Sequence, residues 1–295
     1  IIVAKDKNER FIGQFQRIPC KYYIDGELFD AFWGMDYIVE EASRGSAAGV
    51  FLAKKALKDD HFGMGLSPIS FKLHLLLGEK HISDYYKYIR FRSLSNLLKF
   101  AISIVIKHPL RSRTISDYYP NIINIGGVCF QKKSNPSDIN WEFENNNYIE
   151  FSRDKEFLSW RFGSYPKVFT TYTYGDESGT KAYFIIRNVI WKGFPFLLLV
   201  DYKYRGNTLQ PLLKAVSKIL KKSHNYGIIT LSSFSDVDRA LKHNHYIKFG
   251  SNGQIVTNVK INLSKQQIKQ RKSIFVTFAD SDGDFFYGNK EWYEL

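Results

Sequence analysis

Apolar positions along this chain follow two periods, and their alternation outlines a fold. Ala31-Phe32-Trp33-Gly34-Met35-Asp36-Tyr37-Ile38-Val39 is a near-continuous apolar run and predicts a buried strand. Val50 to Leu57 carries apolar residues at helical spacing. Ile1-Ile2-Val3-Ala4 reads as a strand, with Ile1 to Lys5 expected to pair with Gly13 to Pro19. A helix within Ser67 to Gly78 and a strand from Ile82 to Phe91 follow. In the second half, Val168 to Tyr174 and Lys181 to Val189 form a hairpin about a Gly-Asp-Glu-Ser-Gly turn. Phe196 to Asp201 predicts a strand, Thr208 to His224 a helix, Ile228 to Ser232 a strand and Ser235 to His243 a helix. Gln254 to Asn262 and Lys272 to Phe278 are the remaining strands. Both halves thus read hairpin, strand, helix, strand, helix, strand. The expected fold class is mixed α/β (α+β) in two domains, 1–92 and 145–295, joined by a partly helical connector, 93–144.

Composition supports a globular chain: 44% hydrophobic and 24% charged residues, with 16% aromatic. Two cysteines, Cys20 and Cys129, cannot supply a disulfide framework or a cysteine zinc site, and a reducing, cytoplasmic compartment is expected. The apolar stretch from Leu94 to Leu110 is broken by Lys99, Lys107 and His108 and falls short of the ~20 residues a membrane span needs. It predicts a basic amphipathic surface helix or a helix between domains, with the inner membrane surface as an alternative location. The formal charge of +13 is uneven: Tyr202 to Lys272 holds 14 basic and two acidic residues, whereas residues 1–92 hold 14 and 12. Such a field concentrates anions, although solvated lysines on one helix give the same count. No zinc knuckle, helix-turn-helix or RNA-binding aromatic signature accompanies it.

Chemistry concentrates at Arg44-Gly45-Ser46-Ala47-Ala48-Gly49, between the first buried strand and its helix. Small residues at a helix start expose backbone N–H groups at the positive end of the helix dipole, a ready anion site; tight packing is the competing reason for them. This Arg-Gly-x-small-x-Gly pattern resembles the acyl-CoA pyrophosphate loop of the GNAT acetyltransferase superfamily, with Ala47 where a second glycine is common. Ser67 to Gly78 resembles the later GNAT helix that ends at a Gly, and His74 stands where many members carry a Tyr that protonates the CoA thiolate. Lys155 to Phe162 with Tyr165-Pro166, and the Asp-rich Phe275 to Asp284, are similar to segments of tandem GNAT-like proteins from bacterial surface-polysaccharide gene clusters.

The resemblance implies two GNAT-like domains, each a mixed, mostly antiparallel sheet flanked by helices. The first would lack its opening strand and helices upstream of Ile1. It further implies acetyl-CoA as acyl donor, held by the backbone of Ile38 and Val39 and by Arg44, Gly45, Ser46, Ala47, Ala48 and Gly49. His74 would donate the proton. Asp36, Glu40 and Glu41 are candidates for the base, with Asp36 favoured because burial in an apolar strand would raise its pKa; a paired strand-edge carboxylate is the plainer alternative. The implied acceptor is a small molecule, an amino sugar linked to a nucleotide or a lipid.

The matching loop of the second half, Tyr204-Arg205-Gly206-Asn207-Thr208-Leu209-Gln210, lacks further small residues, and Leu241 takes the acid's place, so a degenerate site is expected there. Two other readings stand beside the enzyme. Fem-type transferases of the same fold use aminoacyl-tRNA, which the basic stretch would suit. A non-catalytic binding module would explain Ala47 and His74. Asp280-Ser281-Asp282-Gly283-Asp284 has alternating oxygen ligands suited to calcium, but a polar turn is the preferred reading. His243 and His245 are expected on different faces of a helix end. No metal site is assigned.

Overall fold

The structure, a computed structural model, describes residues 1–106, 118–143, 146–164, 167–177, 179–261 and 263–280. Strands β1 (Ile2–Lys5), β2 (Phe11–Ile24) and β3 (Glu27–Val39) precede helix α1 (Ala48–Ala56). Then come β4 (His61–Met64), α2 (Pro68–Leu76), β5 (Lys80–Phe91) and α3 (Leu94–Ile106). The middle of the chain forms β6 (Ile122–Ile125), β7 (Val128–Lys133), β8 (Ile149–Phe151) and α4 (Lys155–Leu158). The remainder forms β9 (Thr170–Asp176), β10 (Gly179–Trp191), β11 (Phe194–Tyr204), α5 (Leu209–Lys222), β12 (Gly227–Ser232), α6 (Ser235–His243), β13 (Ile247–Thr257), α7 (Lys265–Lys269) and β14 (Ile274–Phe275).

Two compact units emerge, and their boundaries differ from the consecutive division 1–92, 93–144 and 145–295. One comprises the described residues of Ile1–Tyr85, Glu144–Ser152 and Ser251–Val276; the other those of Tyr86–Phe143, Arg153–Gly250 and Thr277–Leu295. Strand pairing is the reason. β13, from the second half of the sequence, pairs antiparallel with β4 (Ile255↔Met64), while Tyr86 to Phe91 of β5 pair antiparallel with β12. Each half thus supplies the last strand of the other unit, which a linear order of elements does not reveal.

In the first unit the strand order is β14-β8-β2-β3-β4-β13 and then the start of β5, with β1 on β2. β1 pairs as expected, Ala4 opposite Gly13. β2 and β3 are antiparallel, and β4 lies parallel to β3. Its core gathers Trp33, Phe62 and Phe151, with ring centroids 4.8 to 5.5 Å apart. α1 adds Leu52, Ala53 and Ala56, all buried.

The second unit repeats this order: antiparallel β10 and β11, helix α5, β12 parallel to β11, helix α6, then an antiparallel strand. β11 is buried from Phe194 to Lys203, consistent with its near-continuous apolar run. α5 buries Leu209, Leu212, Leu213, Val216, Ile219 and Leu220, the stripe its spacing dictates. Each such side chain contributes about 1.5–3 kcal/mol of burial.

Beneath them the buried Arg153 guanidinium holds the Asp201 carboxylate through Nε and NH2, at 2.9 and 3.1 Å, and Asp280 at 2.7 Å. Tyr183 and Thr277 donate their hydroxyls to the same Asp201. Asp280 also accepts the Thr277 N–H, so its carboxylate is committed to this network. The other residues of the calcium reading, 281–284, lie outside the described residues, as do Tyr165 and Pro166. Of the similar segment before them, Trp160 is half exposed and Phe162 is buried against Phe169.

α3 forms over Leu94–Ile106, and no helix of the described residues is long and apolar enough to cross a membrane. It buries Asn96, Phe100 and Ser103 and leaves Leu94, Leu98, Lys99, Ile102 and Val105 exposed, while Lys107 and His108 lie outside the described residues.

Close backbone approach in the first unit supplies a stability test. A Cβ at Gly253 of β13 would lie 2.0 Å from Cζ of Tyr85. Gly253→Ala is therefore expected to cost about 1–3 kcal/mol by overpacking, read from urea denaturation. An unchanged midpoint would contradict this contact.

Candidate active site

The candidate site is built on the far end of β3. Parallel pairing with β4 runs from Phe32↔His61 to Gly34↔Gly63, and β3 then continues alone on that side to Val39. Among the described residues no other strand covers this edge. On the opposite side β3 stays paired with β2, but the register slips: Gln14 faces Ile38 while Gln16 faces Met35. Asp36 and Tyr37 therefore share one partner, Phe15, which is a β-bulge. Asp36 takes a φ of 41° there and its side chain is exposed. This corrects the expectation that a buried Asp36 is raised by desolvation: the bulge turns the carboxylate out to solvent.

The other carboxylates sit just beyond. Glu40 pairs with Arg10 at 3.3 Å and Glu41 is exposed. Ile38 is half exposed, and the Val39 carbonyl accepts from Arg44 Nε at 3.2 Å. Arg44 is thus drawn back onto the strand end rather than ranging freely.

Arg44, Gly45, Ser46 and Ala47 are exposed and lead into α1. Gly45 has a φ of 98°, which side chains resist. Ser46 N–H donates to Ser43 O at 3.1 Å, and Ala48 N–H to Ser46 Oγ at 3.2 Å. The first bond of the helix ladder runs from Phe51 N–H to the Ala47 carbonyl, so the amides of Gly49 and Val50 precede it and are open as donors. Tyr37 lies against this turn: a Cβ on Gly49 would sit 2.7 Å from its hydroxyl. Burial raises the Tyr37 phenol pKa, which keeps it protonated near neutrality.

His74 arises from α2, and its surroundings follow from how that helix ends. Gly78 takes a φ of 99°. Gly78 N–H then donates to Leu75 O, and Glu79 N–H to His74 O, each at 3.1 Å. This is a Schellman turn, which folds the residue after the glycine back over the last helical turn. The Glu79 side chain consequently reaches His74, whose Nδ1 lies 2.5 Å from Oε2; the other oxygen meets Nδ1 of His61 at 2.6 Å. All three side chains are buried. His61 fits only because Gly34 of β3 has no side chain: a Cβ there would come within 2.2 Å of His61 Nε2. The Tyr37 ring meets His74 edge-on at 6.4 Å.

Sequence reasoning singled out His74 and Gly78 but missed Glu79 and His61. The Gly-Glu pair closing the helix was the available signal for Glu79; His61 is 18 residues away and had none.

His61, His74 and Glu79 form the group among the described residues with donors close enough to hold a metal ion. The distances favour protons instead. Ligands about 2.1 Å from one tetrahedral ion sit about 3.4 Å apart, wider than the 2.5 and 2.6 Å found here. A carboxylate bridging two imidazoles accepts both Nδ1–H protons, which leaves Nε2 of each ring as the nitrogen that can take up or release a proton. Both Nε2 atoms are buried without a partner among the described residues.

The corresponding loop of the second unit is closed. Thr208 Oγ1 accepts the Arg205 N–H at 3.2 Å and donates to the Arg205 carbonyl at 2.8 Å. The Arg205 guanidinium stacks 4.8 Å above Trp141. Leu241, in the place of the acid, is core.

The Glu79 bridge carries a pH signature. Burial alone would raise this carboxyl, yet the His61 and His74 donors outweigh it and hold the pKa below its ordinary 4.5. A depressed carboxyl pKa contributes stability above the unfolded value and loses it as pH falls through the folded one. Glu79→Gln should therefore cost about 3 kcal/mol at pH 7, and the gap to the parent should narrow as pH drops below that ordinary value. Urea denaturation across pH reads both, and a gap constant down to the acid limit would contradict the bridge.

No family model matches the chain, and no curated protein sequence matches it. Solved structures do resemble its fold. A protein of unknown function from Enterococcus faecalis, described as a probable N-acyltransferase, aligns with a TM-score of 0.54 at 13% identity, covering 85% of this chain and 60% of the other. A GCN5-related N-acetyltransferase from Anabaena variabilis aligns at 0.53 and 11%, covering 86% and 61%. Saccharomyces cerevisiae N-myristoyltransferase with bound myristoyl-CoA aligns at 0.50 and 11%, covering 85% and 64%. The chain thus spans less than two thirds of the length of each. The likeness is one of fold: the mixed α/β arrangement of the GCN5-related N-acetyltransferases.

Proposed function

We propose that this chain is an acyl-CoA-dependent N-acyltransferase whose donor site lies in the first unit. The observation that carries the reading is the open edge of β3 beyond Gly34, which leads to the exposed loop and free amides at the start of α1. In this reading the edge from Met35 to Val39 pairs with the pantetheine arm. The Gly49 and Val50 amides, together with the small residues Gly45 to Ala48, take the pyrophosphate. Arg44 supplies a counter-charge beside them. The fold neighbour from yeast holds myristoyl-CoA, which supports an acyl-CoA donor; acetyl-CoA is the donor we propose.

The reaction joins an amine nitrogen to the thioester carbonyl carbon and breaks the carbon–sulfur bond. A strand-edge N–H would stabilise the oxyanion, an effect typically of about 10²–10³ in rate. The amine gives up a proton to a carboxylate, for which exposed Asp36 at the bulge is our assignment, with Glu40 and Glu41 beside it. The departing thiolate takes a proton from His74 Nε2. Glu79 fixes that ring through Nδ1 and so orients Nε2. We assign the acceptor to the amino sugars of surface-glycan synthesis, linked to a nucleotide or a lipid, on the cytoplasmic side.

The density of basic residues between Tyr202 and Lys272 favours a second reading, transfer from aminoacyl-tRNA on the same scaffold. A salt-sensitive gel shift with tRNA, together with no heat of binding from acetyl-CoA, would select it.

Two variants test the main reading. Ala47 has ordinary helical dihedrals (φ −69°, ψ −6°) and is exposed, so Ala47→Trp should block the loop without backbone strain. Calorimetry should show acetyl-CoA affinity lost in Ala47→Trp and kept in Asn207→Trp, an exposed position in the corresponding loop of the second unit. Equal loss in both, or loss in the second alone, would place the site elsewhere. His74→Phe should lower kcat roughly 10²-fold with little change in acetyl-CoA affinity. Unchanged turnover in the folded variant would remove His74 from the chemistry.

A further inference from the structure

The second unit carries a cavity that the acyl-transfer reading does not use. Lys214, Lys218 and Lys221 of α5 follow the i, i+4, i+7 spacing of one helix face. Arg90 of β5 joins them, as do His243 and His245, around a cavity of about 460 Å³. The two histidines were expected on different faces of a helix. They meet here because α6 ends at His243 and the chain turns through His245, whose φ is 63°.

Arg90 is held in place rather than loose. It donates through NH1 to Ser217 Oγ, the Ser217 hydroxyl donates to the Leu213 carbonyl at 2.7 Å, and the guanidinium lies 6.0 Å above the Tyr246 ring. Ser217 and Tyr246 are both buried.

Among the described residues no carboxylate lines the cavity. Four permanent cations in one concavity repel each other, and an anion relieves that repulsion. Its size is that of a small-molecule site, about 300–1,000 Å³, rather than a groove for a long polyanion. Among the described residues no Phe, Tyr or Trp lines it and Ile125 is its apolar residue, so these residues offer no platform on which a nucleic-acid base would stack. From Lys214 to Lys221 the helix rises about 10 Å, a spread that two linked phosphates meet better than one.

We propose that this cavity binds the diphosphate group of a small molecule. The site lies along the middle and last turns of α5, away from the closed loop at its start. It stands whether or not the first unit transfers an acyl group.

Titration calorimetry on the whole chain tests the proposal, with inorganic pyrophosphate, UDP and vesicles carrying a prenyl diphosphate as probes. Pyrophosphate should bind, raise the thermal midpoint and weaken between 50 and 200 mM salt, as roughly expected from screening. Lys214→Gln with Lys218→Gln should weaken it at least tenfold. The charge-matched control, Lys265→Gln with Lys269→Gln in the first unit, should leave it unchanged. Tighter binding of UDP would identify a nucleotide as the source of the diphosphate, and tighter binding of the vesicles a lipid; both support the site. No binding or midpoint shift with pyrophosphate, equal loss in both double variants, or binding of tRNA in its place would overturn it.

Discussion

A single carboxylate, that of Glu79, ties together the pieces from which the first unit's site is made. It accepts from His74 at the end of α2 and from His61 at the start of β4, and its own position is imposed by the left-handed Gly78 before it. The consequences spread outward. His61 can lie under β3 because Gly34 has no side chain, and Gly34 marks the last residue at which β3 and β4 pair. Past that point β3 is released on one side, its bulge turns Asp36 outward, and Tyr37 packs between His74 and the start of α1. Removing one partner from such a buried bridge leaves a polar group without water or counterpart, the costly half of any buried ion pair. The bridge thus couples the geometry of the strand edge to that of the helix carrying the proposed proton donor.

Much of this was legible in the sequence where the relevant physics is local. The strand into Val39, the helix after Gly49 and the helix stop at Gly78 are each written in apolar spacing and small residues. The unlike character of Arg205 to Thr208 was legible too, since Thr208 supplies a side chain that closes the turn on itself. Features set by register or by distant partners were not. Asp36 sits in an apolar run, and only the slip between β2 and β3 decides that it faces solvent. Glu79 and His61 look unremarkable until a turn and a parallel strand bring them together. The exchange of β5 and β13 is invisible to a linear reading, because each strand has the same pattern whichever unit it completes. His243 and His245 were separated by helical reasoning that stops applying one residue earlier than the second histidine.

The two units show how one strand order can carry different surfaces. In the first, the helix after the hairpin begins with small, exposed residues and open amides. In the second, the matching helix begins in a self-capped turn, and its charge lies instead along its length, facing a cavity that no acid lines among the described residues. Neither difference disturbs the core, since α1 and α5 both bury an apolar stripe against their sheets. The chemistry is therefore set by a few positions at helix starts and on outer helix faces, where substitution costs little stability.

The most direct test of the central claim, that the first unit's loop receives the pyrophosphate of an acyl-CoA, is backbone amide exchange with and without acetyl-CoA. The account predicts slowed exchange at Gly49 and Val50 and along the β3 edge from Met35 to Val39, with no change at Gly206 to Leu209. Protection confined to the second unit's loop, or no protection at either under saturating acetyl-CoA, would contradict it.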